Sequence, residues 1–204
     1  MKILIATTNP GKMKELGAML DADVQWVSLK DFPGIAEVVE DGHTFAENAR
    51  KKAIGYAQAT GLWTIADDSG LCIDALDGGP GINSARFSGD KDAGEKRELI
   101  DHRNIEKVLE LMKTVPPEKR TARFVCSLCL ASPSEVLAHT QGRWEGVIAD
   151  KPIGEEGFGY DPIMYIPDLK KSVGQISAPL KNQLSHRAKA IRLLKPILLS
   201  LLKA

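Results

Sequence analysis

Lys2-Ile3-Leu4-Ile5-Ala6-Thr7-Thr8-Asn9-Pro10-Gly11-Lys12 decides the class of fold. Lys2 to Thr7 is a short apolar run with β-branched residues, which reads as a buried strand. Pro10 then opens a segment in which Met13, Leu16, Met19 and Leu20 recur at helical spacing. Strand, loop and helix therefore follow one another within twenty residues. Downstream, Thr44 as N-cap and Glu47 three residues on form a capping box ahead of Ala49, Ala53 and Tyr56, predicting a helix to about Ala59 with Gly61 beyond its end.

Trp63 to Ala66 reads as a strand, Asp67-Asp68-Ser69-Gly70 as a turn, and Leu71 to Leu76 as the next strand. Gly78 to Gly89 reads as a loop and Lys96 to Met112 as a helix. Arg123 to Ala131 and Val136 to Trp144 are strand-like runs joined by Ser-Pro-Ser-Glu, a hairpin signal. Alternating helices and strands followed by a hairpin predict an α/β fold with a mixed sheet flanked by helices. No repeat or linker interrupts it, so residues 1–204 are expected to form a single domain with two lobes.

A chain of 204 residues buries roughly two thirds or more of its unfolded surface and needs no external staple. Lys plus Arg equals Asp plus Glu at 27 each, so no global field attracts nucleic acid or an anionic membrane. The first apolar run is too brief for a secretory leader and lacks a small-residue cleavage site. Arg192, Lys195 and Pro196 interrupt the apolar C-terminal region well short of the ~20 residues a bilayer span requires. Cys72, Cys126 and Cys129 make an odd count in a core-forming chain, which argues for a reducing cytoplasm over a disulfide framework. Cys126 and Cys129 are spaced to face opposite sides of a strand, as buried small hydrophobes.

Three groups carry chemistry. Thr7-Thr8-Asn9-Pro10-Gly11-Lys12 lies where free backbone N–H groups and a helix dipole favour an anion, with Lys12 adding a full charge. It is not a Walker A loop, because its first glycine is absent and Met13 stands where the magnesium-binding hydroxyl belongs. Glu40-Asp41 and Asp67-Asp68 are candidate magnesium ligands, since Mg2+ needs only one or two carboxylates besides phosphate and water. A carboxylate there can also orient or deprotonate the attacking water. Gly157-Phe158-Gly159-Tyr160-Asp161-Pro162 holds an aromatic ring on a glycine-flanked loop where a base could stack. Lys181, His186 and Arg187 add donors for a base edge or a phosphate.

In order along the chain, these motifs resemble the inosine triphosphate pyrophosphatase family. The matching pieces are Thr7-x-Asn9-x-x-Lys12, Glu40-Asp-Gly with Thr44-Phe45-x-Glu47-Asn48-Ala49, and Ala66-Asp67-Asp68-Ser69-Gly70-Leu71. Pro80-Gly81-Ile82-x-Ser84-Ala85-Arg86-x-Ser88-Gly89, Gly157 to Pro162, and Lys181 with His186-Arg187 complete the set. The resemblance implies an elongated mixed sheet, two lobes around a central nucleotide-binding cleft, and a homodimer. It implies Mg2+ at Glu40 and Asp68, with Asp68 the base for water. Thr7, Thr8, Asn9, Pro10, Gly11, Lys12 and Lys52 would lie around the phosphates. Ser69, Phe158, Gly159, Tyr160, Asp161, Lys181, His186 and Arg187 would bind the nucleotide, with Phe158 stacking on the base. The substrate implied is inosine, deoxyinosine or xanthosine triphosphate, cleaved to monophosphate and pyrophosphate. Leu180 departs from the acidic residue expected there. A Maf-like hydrolase of modified nucleotides and a nucleotide-binding module without chemistry remain as alternatives.

Overall fold

Ile3, Leu4, Ile5 and Ala6 are all buried in β1 (Lys2–Ala6), so both faces of this strand must be covered. The structure, a computed structural model, describes residues 1–89 and 95–203. β1 pairs in parallel with β2 (Gln25–Ser28) and with β3 (Trp63–Ile73). β4 (Thr121–Ala131) and β5 (Val136–Ile148) follow, joined at a turn where Ser132 N–H donates to the Glu135 carbonyl at 2.9 Å. β6 (Met164–Ile166) and β7 (Lys171–Ser172) add antiparallel pairs. Among the described residues the result is an open mixed sheet of seven strands in the order β2-β1-β3-β4-β5-β6-β7.

Five α-helices flank it: α1 (Pro10–Met19), α2 (Phe45–Thr60), α3 (Arg97–Met112), α4 (Ala178–Leu184) and α5 (His186–Leu201), counted among the described residues. Strand alternation sorts the core into layers. Ile3, Ile5, Ile65, Cys126 and Leu128 pack with Leu16 of α1 and with Ile191, Leu194 and Leu198 of α5. Leu4, Ala6, Ala66 and Cys129 pack with Ala49, Ala53 and Tyr56 of α2. Cys126 and Cys129 thus face opposite sides as the spacing required. A third cluster joins Leu71, Ile73, Val108, Met112, Trp144, Ile163 and Met164.

Contacts divide the chain into two compact units. The first holds Met1–Asp68, Cys126–Arg143 and Ser185–Ala204; the second holds Ser69–Val125 and Trp144–Leu184. No helix of the described residues is long and apolar enough to cross a membrane.

Several expectations need correction. The turn expected at Asp67 to Gly70 is the middle of β3, which runs unbroken from Trp63 to Ile73. Asp67 does not interrupt the strand because buried cations neutralise it. Gly70 serves close packing rather than a turn: a Cβ there would lie 2.6 Å from the Gly81 carbonyl oxygen and would also meet Ser84 Oγ. What was read as strand at Asp74 to Leu76 is a 3-10 turn. The capping box on α2 is half formed. Thr44 Oγ1 accepts from Glu47 N–H at 3.1 Å, while the Glu47 carboxylate reaches past the cap to His43 N–H at 2.7 Å. Gly61 ends the helix at φ 72°, left-handed backbone that favours glycine.

Candidate active site

Because β3 continues through the acidic pair, Asp67 and Asp68 leave the sheet on opposite faces. Their surroundings differ accordingly. Asp68 faces α2, where Lys52 is buried one helical turn beyond Asn48. The Lys52 ammonium lies 2.7 Å from Glu40 Oε2 and 3.7 Å from Asp68 Oδ1. Two carboxylates from distant parts of the sequence therefore share one cation position. Burial raises the Asp68 carboxyl above its usual value; Lys52 and Lys12 oppose that rise, and Glu40 and Asp67 add to it. For Lys52, burial acts against the charge but Asp68 and Glu40 outweigh it, so its pKa is raised.

Asp67 faces α1 and α5. It is 1% exposed, pairs with Lys12, and accepts from Arg187 Nε at 2.9 Å and from Cys126 Sγ at 3.0 Å. Burial alone would push its pKa up, yet Arg187 and Lys12 hold it well below the usual carboxylate range. Arg187 also pairs with Glu15 of α1. Cys126, buried beside this carboxylate, has its thiol pushed well up, first by burial. Asp67 was a candidate metal ligand alongside Asp68; its two cation partners give it another task. Asp41, weighed with Glu40, is exposed and pairs with Lys51.

The loop Thr7 to Lys12 corrects a second expectation. The backbone N–H groups of Gly11 and Lys12 are not free: both donate to Asn9 Oδ1, at 2.9 and 3.1 Å. Asn9 is the N-cap of α1, and its own N–H donates to Thr7 Oγ1 at 3.2 Å. A short amide side chain at the cap satisfies orphan donors that would otherwise meet an anion. What remains for phosphate here is the dipole of the helix and the Lys12 charge, which Asp67 holds.

The second unit builds its own cluster. Asp161 accepts from Phe158 N–H at 2.8 Å and pairs with Lys181 Nζ at 2.5 Å. The Lys181 ammonium lies 4.5 Å from the centroid of the Phe158 ring. Gly157 sits at φ 82°, and a Cβ there would strike the Asp161 carboxylate. Tyr160 is buried, and its hydroxyl donates to the Ser84 carbonyl at 2.8 Å. Ser84 in turn accepts from Leu71 N–H at 2.9 Å, tying the loop to the continuation of β3. Ser69 lies on β3 directly after Asp68. In the first unit, apart from this cluster, His186 and Arg187 open α5 behind the N-cap Ser185, whose hydroxyl accepts from Ala188 N–H at 3.1 Å. Glu15 and Asp101 are two residues that sequence reasoning did not select. Their signal is a charge on the buried face of an amphipathic helix, which demands a partner.

Glu40 and Asp68 thus share the Lys52 ammonium, and Lys12 stands in the first turn of α1. Residues 3–197 match the Ham1 family. The chain belongs to that family. The dITP/XTP pyrophosphatase of Desulforamulus reducens is 47% identical over 193 residues, covering 94% of this chain and 92% of that protein. Its counterpart in Bacillus subtilis is 46% identical over 198 residues, 96% of each chain. Among solved structures, the Ham1 protein of Staphylococcus aureus superposes with a TM-score of 0.85 at 39% identity, over 98% of this chain and 99% of that one. The Ham1 protein of Coxiella burnetii gives 0.86 at 35% identity, with 98% and 99% covered. The family resemblance carried by the motifs is thereby borne out, as is the Ham1 mixed sheet.

Proposed function

We propose that this Ham1 chain hydrolyses damaged purine nucleoside triphosphates, those of inosine, deoxyinosine and xanthosine, to the monophosphate and pyrophosphate. The observation that carries the reading is the convergence of the Glu40 and Asp68 carboxylates on the Lys52 ammonium. Two carboxylates suit magnesium, which fills its other positions with water and substrate phosphate. Bound there, the ion supplies neutralisation of charge developing on the phosphates. Asp68 takes the proton from the attacking water. Lys12 and Lys52 meet phosphate oxygens beside Thr7, Thr8, Asn9, Pro10 and Gly11, and Asp67 holds Lys12 in place.

Base recognition falls to Ser69, Phe158, Gly159, Tyr160, Asp161, Lys181, His186 and Arg187. Hypoxanthine and xanthine carry a carbonyl at the purine 6-position where adenine has an amino group. A site of fixed donors rejects the amino group, and unpaired or clashing donors can discriminate by about 10⁴ or more. Phe158 stacks on any purine. Phe158→Ala is therefore expected to weaken ITP and ATP alike, by about 1–3 kcal/mol in kcat/KM; selective loss of one purine would give the ring a reading role it lacks here. From the family resemblance we take the homodimer and a cytoplasmic setting on free nucleotides, with no nucleic-acid or membrane partner. The two units work as one pyrophosphatase domain.

The test is a substrate panel assayed with magnesium and with excess chelator. ITP, dITP and XTP should turn over and ATP hardly at all. Activity should vanish in chelator and return with magnesium or manganese but little with calcium, whose longer and irregular coordination suits the pair poorly. Full turnover in chelator would contradict the metal assignment. Because the Asp68 carboxyl is raised above its usual 3.8, protons compete with the metal earlier than at an ordinary carboxylate. Apparent magnesium affinity should therefore fall as pH is lowered, starting above the normal Asp range.

A further inference from the structure

Two side chains on one face of α3, Asp101 and Asn104, stand where an apolar stripe of Ile100, Ile105, Val108 and Met112 would otherwise continue. Both are buried, at 9% and 1% exposure. Neither faces water, so each must be explained by what it holds. Asn104 accepts from Ser88 N–H at 2.7 Å and donates to the Ser84 carbonyl at 3.3 Å. Asp101 accepts from Gly159 N–H at 2.9 Å through Oδ2, while its Oδ1 lies 2.9 Å from Arg97 Nε. Gly159 is at φ 61°, in the middle of the loop that carries Phe158.

We infer that Asp101 is a positioning residue for purine binding: it fixes the Phe158 loop from α3 so that the aromatic ring is preset for a nucleobase. This rests on the proposed role of Phe158. The loop is gripped at two points by carboxylates. Asp161 holds Phe158 N–H from within the loop, and Asp101 holds the next N–H from outside it. Two consecutive backbone donors thus define the plane of the peptide that follows Phe158. Left-handed backbone at Gly157 and Gly159 lets the chain fold around those acceptors. Tyr160 adds a third anchor through its bond to Ser84, which Asn104 also holds. Asp161 is engaged by Lys181 as well, whereas the Asp101 contact comes from a helix in the core of the unit. A loop released from Asp101 must be ordered by the incoming base, which lowers affinity for base-bearing ligands and leaves phosphate binding alone.

The experiment measures inhibition by inosine monophosphate and by inorganic pyrophosphate, with ITP as the assayed substrate, in wild type, Asp101→Ala, Asp101→Asn and Arg97→Gln. Asp101→Ala should weaken inosine monophosphate about tenfold or more, as expected when a stacked base is poorly held, with pyrophosphate and kcat within about threefold. Asp101→Asn keeps a carbonyl acceptor for Gly159 and should recover most of the affinity. Arg97→Gln removes the ion pair and a long donation to the Ala85 carbonyl at 3.4 Å, leaves the Gly159 acceptor in place, and should match wild type. Amide exchange at Gly159 should be slow in wild type and in Asp101→Asn and fast in Asp101→Ala; if the alanine variant does not fold, Asp101→Ser, whose shorter side chain gives up the carboxylate that Gly159 N–H reaches, is measured in its place. Equal weakening of both inhibitors, or Asn as damaging as Ala, would overturn the role of Asp101. A wild-type protein that ignores inosine monophosphate would instead overturn the purine reading itself.

Discussion

Asp68→Asn is expected to lower kcat by about a hundredfold or more, the usual worth of a general base, while leaving a folded protein that still binds nucleotide. The substitution is nearly isosteric and removes charge and basicity together. Asp68 lies beside Lys52, whose other carboxylate partner is Glu40, so the lysine keeps one anion and the local packing survives. Steady-state kinetics with ITP, paired with a binding measurement, separates the two effects. Activity within about threefold of wild type would remove Asp68 from its role as base.

Arg187→Ala should show the largest effect on stability. The side chain is 1% exposed and stands between Asp67 and Glu15, both buried. Its loss removes the guanidinium shared by two buried carboxylates, of which Asp67 keeps Lys12, and breaking a buried pair in this way costs about 3–5 kcal/mol. Denaturant unfolding should reveal it as a lower midpoint at unchanged slope. A loss of under about 1 kcal/mol would contradict the buried network. Arg187→Lys restores charge but cannot fork to both acids, so it should recover part of the stability. In that folded variant, the preference for ITP over ATP should fall if Arg187 is the donor that reads the purine 6-carbonyl, because that donor has moved. An unchanged preference would leave Arg187 with the fold alone.

The broad architecture was legible because its carriers are long. α2 and α3 run 16 residues each and β4 runs 11, enough for periodicity and caps to register. β2, β6 and β7 have 4, 3 and 2 residues, too few to show any alternation, and they exist because neighbouring strands pair with them. The misreading at Asp67 to Gly70 has a different origin. Local turn chemistry was outweighed by cations from α1 and α5 that no local window contains. It mattered, because only an unbroken strand assigns the two aspartates to opposite faces and hence to different work. Residue type nominates Glu40, Asp41, Asp67 and Asp68 together and the family resemblance singles out Glu40 and Asp68; geometry adds the physical reason, that Asp67 is held by Lys12 and Arg187 on the other face. The capped amides of Gly11 and Lys12 show the converse: Asn9 was visible in the sequence and had been counted with the phosphate loop, although its side chain spends itself on the helix.

The central claim is that the bond broken leaves pyrophosphate. Wild-type protein with ITP and magnesium, followed by phosphorus NMR until the substrate is exhausted, tests it most directly. One inosine monophosphate and one pyrophosphate per triphosphate, with no orthophosphate, is the predicted outcome. Orthophosphate appearing with inosine diphosphate would contradict the account.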